Sequence, residues 1–104
     1  MKSLTAAFAL AAGAAIVASP ASASEALLKK YNCLACHTID KKLVGPAYKD
    51  VAKKYAGDAG AANMLFEKVK KGGKGTWGQI PMPPNPQVPD ADLHTMIKYI
   101  LQLK

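Results

Sequence analysis

Residues 33–37 read CLACH, two cysteines three apart with a histidine directly after the second. Four chemistries use such a group: a short disulfide, a redox dithiol, part of a zinc site, or the covalent attachment of a haem. Each needs something different from the surrounding chain, so the surrounding sequence discriminates between them.

The chain has 104 residues and opens with a positive Met1-Lys2, followed by an alanine-rich apolar run from Leu4 to Val17. Pro20 ends that run, and Ala21-Ser22-Ala23 has the small-residue form of a signal-peptidase site. A transmembrane anchor needs about 20 apolar residues, more than this stretch supplies. The expectation is a cleaved secretory signal over 1–23 and one exported domain over 24–104. Removing 23 of 104 residues leaves 81, a length at which a small core gains from a disulfide, metal or cofactor.

The formal charge is +7, of which Lys2 belongs to the signal, so the mature part carries +6. Every basic residue is lysine; the sequence contains no arginine. Nucleic-acid recognition favours arginine forks and interleaved aromatics that stack on bases, and neither is present. A lysine-covered surface suits an acidic protein partner or an anionic membrane face.

Four helical stretches follow the signal, and no useful length shows strand alternation. The first starts at Ser24, an N-cap candidate with Glu25 behind it, and passes through Leu27, Leu28 and Tyr31 to the cysteines. The second places Tyr48, Val51, Ala52 and Tyr55 at i, i+3, i+4 and i+7 and stops at Gly57. The third carries Leu65, Phe66 and Val69 and ends at Gly72-Gly73. The last opens at Asp90 and aligns Leu93, Met96, Ile97, Ile100 and Leu101 on one stripe.

Between the third and fourth helices, GGKGTWGQIPMPPNPQVP (72–89) holds five of the seven prolines and four of the eight glycines. Such a segment is neither helix nor central strand. It nevertheless contains the only tryptophan together with Ile80 and Met82, which a solvated linker has no use for. An ordered loop wrapped against something apolar is expected.

That organisation answers the question set by CLACH. A disulfide is permitted in an exported protein, but one closing so short a loop constrains little of the unfolded chain. A thioredoxin-like dithiol belongs near a strand–helix–strand unit, and no strands are expected. Zinc needs four ligands; beyond Cys33, Cys36 and His37 the only other histidine is His94, without the paired-histidine spacing. Haem attachment fits. Cysteines one helical turn apart share a face and reach the two vinyl groups on one haem edge. His37 is then directed over the ring, where one nitrogen ligates iron while the other N–H requires an acceptor.

Candidates for the sixth iron ligand are Met64, Met82, Met96 and His94. Met96 falls on the apolar stripe of the last helix, where methionine is ordinarily core filler. Met64 lies off its helix stripe, and His94 at the flank of the last one. Met82 stands in IPMPPN, where flanking prolines restrict the backbone and can hold a thioether in place, so Met82 is the expected axial ligand.

CLACH, VGPAYKDVAKKYAG (44–57) and GTWGQIPMPPN (75–85) occur in that order. In these motifs residues 24–104 resemble the small class I monohaem cytochromes c of bacterial periplasms, the short type of denitrifying and ammonia-oxidising bacteria. The resemblance implies an all-α fold wrapped around one haem, with His37 and Met82 on opposite faces. It further implies that the Pro46 carbonyl accepts from His37, that Trp77 reaches an inner propionate, and that Asn85 lies beside the axial sulfur. Plain core packing for Trp77 and a turn role for Asn85 are the alternatives. Three positions depart from the family pattern: Lys68 stands where many relatives have arginine, Tyr99 replaces a frequent tryptophan, and the loop after Asn85, PQVP, is longer than in some relatives.

The function implied is periplasmic one-electron transfer by a monomer, without substrate turnover, between respiratory redox proteins. Two protein ligands on one iron leave no site for oxygen or peroxide, and His/Met ligation raises the reduction potential. A haem enzyme or gas sensor would instead need an open iron position and a polar distal group. The resemblance also suggests an exposed haem edge ringed by Leu34, Leu43, Val44 and Ile80, either to dock partners or simply to pack on the porphyrin.

Overall fold

The computed structural model describes residues 20–104. Four helices follow in order: α1 (Pro20–Lys30), α2 (Tyr48–Lys54), α3 (Ala61–Lys71) and α4 (Asp90–Leu101), with a 3-10 turn over Cys33–Ala35 between α1 and α2. Among the described residues there is no strand, only an isolated antiparallel pairing of Gly73 with Met82.

The expected stripe on α4 organises the molecule. Leu93, Met96, Ile97 and Ile100 are all buried, one turn after another, because a 3.6-residue repeat places them on one face. That face meets α1, α2 and α3, whereas α1, α2 and α3 do not pack on one another. Leu28 from α1, Tyr48 and Val51 from α2, and Val88 from the preceding loop complete the buried cluster. Removing such a side chain from water is worth about 1.5–3 kcal/mol. The three outer helices therefore depend on α4 for their placement.

The first helix differs from the expectation. Within the described residues it spans Pro20–Lys30, and Ser24 lies inside it, buried, so Ser24 is not an N-cap here. The alanines at 21, 23 and 26 favour a helix there. Residues 1–19 of the expected signal lie outside the described residues. Nor does α1 continue to the cysteines. It ends at Lys30, and Asn32 takes a left-handed conformation with φ 63°, a region asparagine tolerates better than most residues. The cysteines then sit in a separate, tighter turn.

Two long connections are held by backbone hydrogen bonds. Residues 38–47 fold back so that Gly45 N–H donates to Cys36 (2.7 Å), Tyr48 N–H to Thr38 (2.8 Å) and Lys49 N–H to Ile39 (3.0 Å). At the end of α3, Gly72 adopts φ 75° and donates to Lys68 (2.7 Å). A side chain there would place its Cβ 2.5 Å from the Met82 carbonyl oxygen, so only glycine lets the loop pass this closely.

Two tyrosines fasten α1 to α4. The Tyr31 hydroxyl donates to Asp92 (2.6 Å), and the Tyr99 hydroxyl on α4 donates to Glu25 on α1 (2.8 Å). At position 99 a phenol supplies this second link. Burial and the Glu25 carboxylate push the Tyr99 hydroxyl up to about 12. The neutral phenol is thus favoured in the folded protein relative to the unfolded chain. Its contribution is complete below about pH 10, where unfolded tyrosine is neutral, and is lost as pH rises through about 12. Tyr99→Phe is expected to lower stability at pH 7 by about 0.5 kcal/mol, the low end for a hydrogen bond because the pair is exposed. Denaturant midpoints should show the variant losing less than the parent between pH 9 and pH 11.

Candidate haem site

A cavity of about 440 Å³ lies between the 3-10 turn, α2, α3, α4 and the loop after α3. Of the eight side chains in the buried cluster, seven also line this cavity, and only Val88 does not. The core is thus a wall around a space. The sequence is built for a large apolar group there.

Cys33 and Cys36 are free thiols, half-buried, and both line the cavity. Burial pushes the Cys33 thiol up, partly offset by a hydrogen bond with Tyr48. The turn itself is closed by Cys36 N–H and His37 N–H, which donate to the Cys33 carbonyl at 3.3 and 3.0 Å. Both sulfurs and the imidazole are thereby brought to one side of the chain. No group of three or more His, Cys, Asp and Glu side chains forms among the described residues. His94 is exposed and stacks on Phe66 at 4.5 Å. The zinc reading of CLACH therefore finds no additional ligand.

His37 is fixed from several directions. Its Nδ1–H donates to the Pro46 carbonyl at 2.9 Å, since a carbonyl can only accept, and this leaves the Nε2 lone pair for a metal. The ring stacks on Tyr48 with centroids 4.8 Å apart and planes 17° from parallel. Tyr48 is buried, and burial together with the nearby Cys33 thiol strongly disfavours its ionised form. Gly45 supplies the remaining contact: a Cβ built on it would lie 2.5 Å from His37 Cε1 and 2.8 Å from Nδ1.

Of the sulfur and nitrogen candidates for the second iron ligand, Met64 and His94 lie off the cavity, whereas Met82 and Met96 both line it. Met96 is 1% exposed within the α4 stripe. Met82 comes from the loop, half-buried, with its backbone hydrogen-bonded both ways to Gly73 (3.0 and 2.8 Å). Trp77 lines the cavity and is 40% exposed, with the Lys54 ammonium 5.6 Å from its ring centre. Lys68 also lines the cavity, half-buried, and forms no ion pair among the described residues. Asn85 is not on the lining. Its amide nitrogen donates to Pro83 (3.0 Å) and its amide oxygen accepts from Gln87 (3.3 Å).

These donors fit a haem: two thiols, one tautomerically fixed imidazole, a thioether and an apolar wall. Residues 11–104 match the family model of cytochrome c. The chain belongs to the cytochrome c family. It is 53% identical over 94 residues to cytochrome c-552 of Nitrosomonas europaea, covering 90% of this chain and 91% of that one. It is 54% identical over 80 residues to cytochrome c-551 of Pseudomonas aeruginosa, covering 77% and 76%. The crystal structure of wild-type Nitrosomonas europaea cytochrome c552 superposes with a TM-score of 0.74 at 54% identity, over 77% of this chain and 99% of that one. The fold is that of a class I cytochrome c. One haem c is bound covalently through Cys33 and Cys36, and the chain is an electron-carrying c-type cytochrome.

Three contributors escaped the reading of the sequence: Gly45 against the imidazole, Tyr48 stacked on it, and Lys70 of α3, whose ammonium donates to the Val88 and Pro86 carbonyls of the loop. The Gly45-Pro46 pair was the available signal, since a glycine beside the residue whose carbonyl accepts from the imidazole lets the backbone approach the ring closely. Gly45→Ala should displace the His37 ring and cost about 1–3 kcal/mol, seen as a lowered denaturant midpoint. Gly60→Ala, whose Cβ would meet only Asp58 at an ordinary 3.5 Å, should stay within about 0.5 kcal/mol.

Proposed function

We propose that the chain is a periplasmic one-electron carrier whose iron is held by His37 and Met82. The observation that carries this reading is the pair of fixed donors at one apolar cavity, His37 locked to Pro46 and Met82 locked to Gly73. Haem supplies a reversible ferric/ferrous couple when bound. The chain's own residues hold it covalently at Cys33 and Cys36, fix the imidazole tautomer, and surround the ring with aliphatic side chains that exclude water. A thioether opposite a histidine raises the reduction potential. If His37 and Met82 both held the iron, no open position would remain there for a substrate, which suits a carrier rather than an enzyme.

Export follows from the expected signal over 1–23, which leaves the domain 24–104 as the working monomer. No helix among the described residues is long and apolar enough to cross a membrane. Electron donors and acceptors would then be other periplasmic redox proteins. Their meeting place is the rim of the cavity, where Val44 (48% exposed) and Ile80 (67% exposed) both line the site and face outward. Leu43 is exposed beside them, while Leu34 is half-buried. Trp77, which lines the cavity, would reach a haem propionate with its indole N–H.

The ligand assignment is tested by the weak sulfur-to-iron charge-transfer absorption of the ferric protein in the deep red. Met82→Ala should abolish it and open the iron to small ligands, while Met64→Leu and Met96→Leu retain it. Loss of the band in Met96→Leu with retention in Met82→Ala would refute the assignment.

Docking is tested by stopped-flow electron transfer across ionic strength. Val44→Lys or Ile80→Lys should slow transfer to a physiological partner even at high salt, because small redox contacts depend on few apolar residues. Lys41→Gln should alter mainly the salt dependence, since exposed charges are screened beyond about 8 Å at physiological ionic strength. Unchanged high-salt rates in both apolar variants would place the contact elsewhere.

A further inference from the structure

The loop that carries Met82 has a shortage of hydrogen-bond donors. Five of the nine residues from 81 to 89 are proline and have no N–H. Of the four N–H groups left, Met82 donates to Gly73, Asn85 to Val69 and Val88 to Asn85. The carbonyls of this segment need donors from elsewhere.

Lys70, in the last turn of α3, provides them. Its ammonium donates to the carbonyls of Val88 (2.5 Å) and Pro86 (3.4 Å) and pairs with the Asp90 carboxylate (2.8 Å). An ammonium has three donors, and these three acceptors use all of them. The side chain is 19% exposed and its ammonium lies 5.8 Å from the centre of the Phe66 ring. Lys71 shows the contrast: 78% exposed, it pairs only with Glu67 on its own helix, a contact of little consequence for stability. Lys70 instead joins α3 to the loop and to the start of α4. The contacts of Gly73 with Met82, Val69 with Asn85, and Lys70 with residues 86, 88 and 90 form successive ties along the loop.

We infer that Lys70 is a positioning residue for Met82, holding the proline loop against α3 so that the thioether stays at the cavity. This rests on the reading of Met82 as an iron ligand. Releasing the loop should let an external ligand displace the thioether without unfolding the protein.

The test is imidazole binding to the ferric holoprotein, followed through the deep-red band, with helix content recorded in parallel. Lys70→Met keeps an apolar stem over Phe66 and removes the donors; it should tighten imidazole binding by about tenfold or more, the scale of a charged hydrogen-bond set lost from a partly buried position. Lys71→Met, the same charge change one residue away, should stay within about twofold of the parent. Tyr99→Phe, which loosens α1 from α4 far from the loop, should also stay within about twofold. Asp90→Asn weakens one of the three contacts and should give a rise of about two- to threefold; it decides the matter if Lys70→Met fails to fold. Imidazole affinity unchanged in Lys70→Met, or raised equally in Lys71→Met or Tyr99→Phe, would overturn the inference. Absence of the deep-red band in the parent would refute the Met82 ligation itself, a result distinguishable from failure of the Lys70 variants alone.

Discussion

The structure depends on a core that surrounds a space. In an ordinary small domain, buried side chains from different helices meet each other. Here Leu28, Val51, Leu93, Met96, Ile97 and Ile100 are buried and yet all face one cavity. The helices α2 and α3 reach α4 but not each other, so what lies between them decides whether they stay in place. A domain this short closes little of such a gap with its own side chains. Covalent haem attachment turns the gap into the centre of the core, which makes the cofactor as much a folding element as a redox one.

Given such a core, the chain's remaining problem is to present His37 and Met82, the proposed iron ligands, from segments that have no regular structure. The two solutions differ. His37 follows a tight turn, and its ring is pinned by a hydrogen bond to Pro46, a stack on Tyr48 and the close backbone of Gly45. Met82 sits in a proline-rich loop with few backbone donors; those of Met82 and Asn85 reach Gly73 and Val69, and Lys70 in the last turn of α3 supplies more. Proline reduces the conformational freedom the loop loses on folding, while α3 supplies the bonds that proline removes. A flexible methionine side chain is thus carried by one of the stiffest backbones in the protein.

Charge is distributed so that it does not compete with these contacts. The lysine-rich sequence leaves a cationic surface, and the few ion pairs among the described residues have separate tasks. The pair of Lys49 with Asp40 and that of Lys71 with Glu67 have exposed partners and matter little energetically. Only Lys70 is largely shielded. The remaining lysines are available for long-range attraction in the partner contact proposed at Val44 and Ile80.

Local chemistry was legible without coordinates. The spacing in CLACH determines haem attachment, because two sulfurs and an imidazole at that interval suit one cofactor and lack the partners for the others. The apolar stripe from Leu93 to Ile100 determines α4, and the glycine and proline content of 72–89 determines a loop. These are properties of neighbours in sequence, and period and backbone restriction decide them. Contacts between distant segments followed a different logic. Nothing near Lys70 in the sequence says that its ammonium meets residues 86, 88 and 90. Nothing near Asn85 chooses between the iron ligand's surroundings and a turn, and nothing near Ser24 says that it is buried inside α1 rather than capping it. Met96 and Met82 both reach the cavity, and only their settings, one deep in the α4 stripe and the other on a loop tied to α3, separate them. Such pairings depend on how far each helix stands from α4, and the packing around one central space sets those distances.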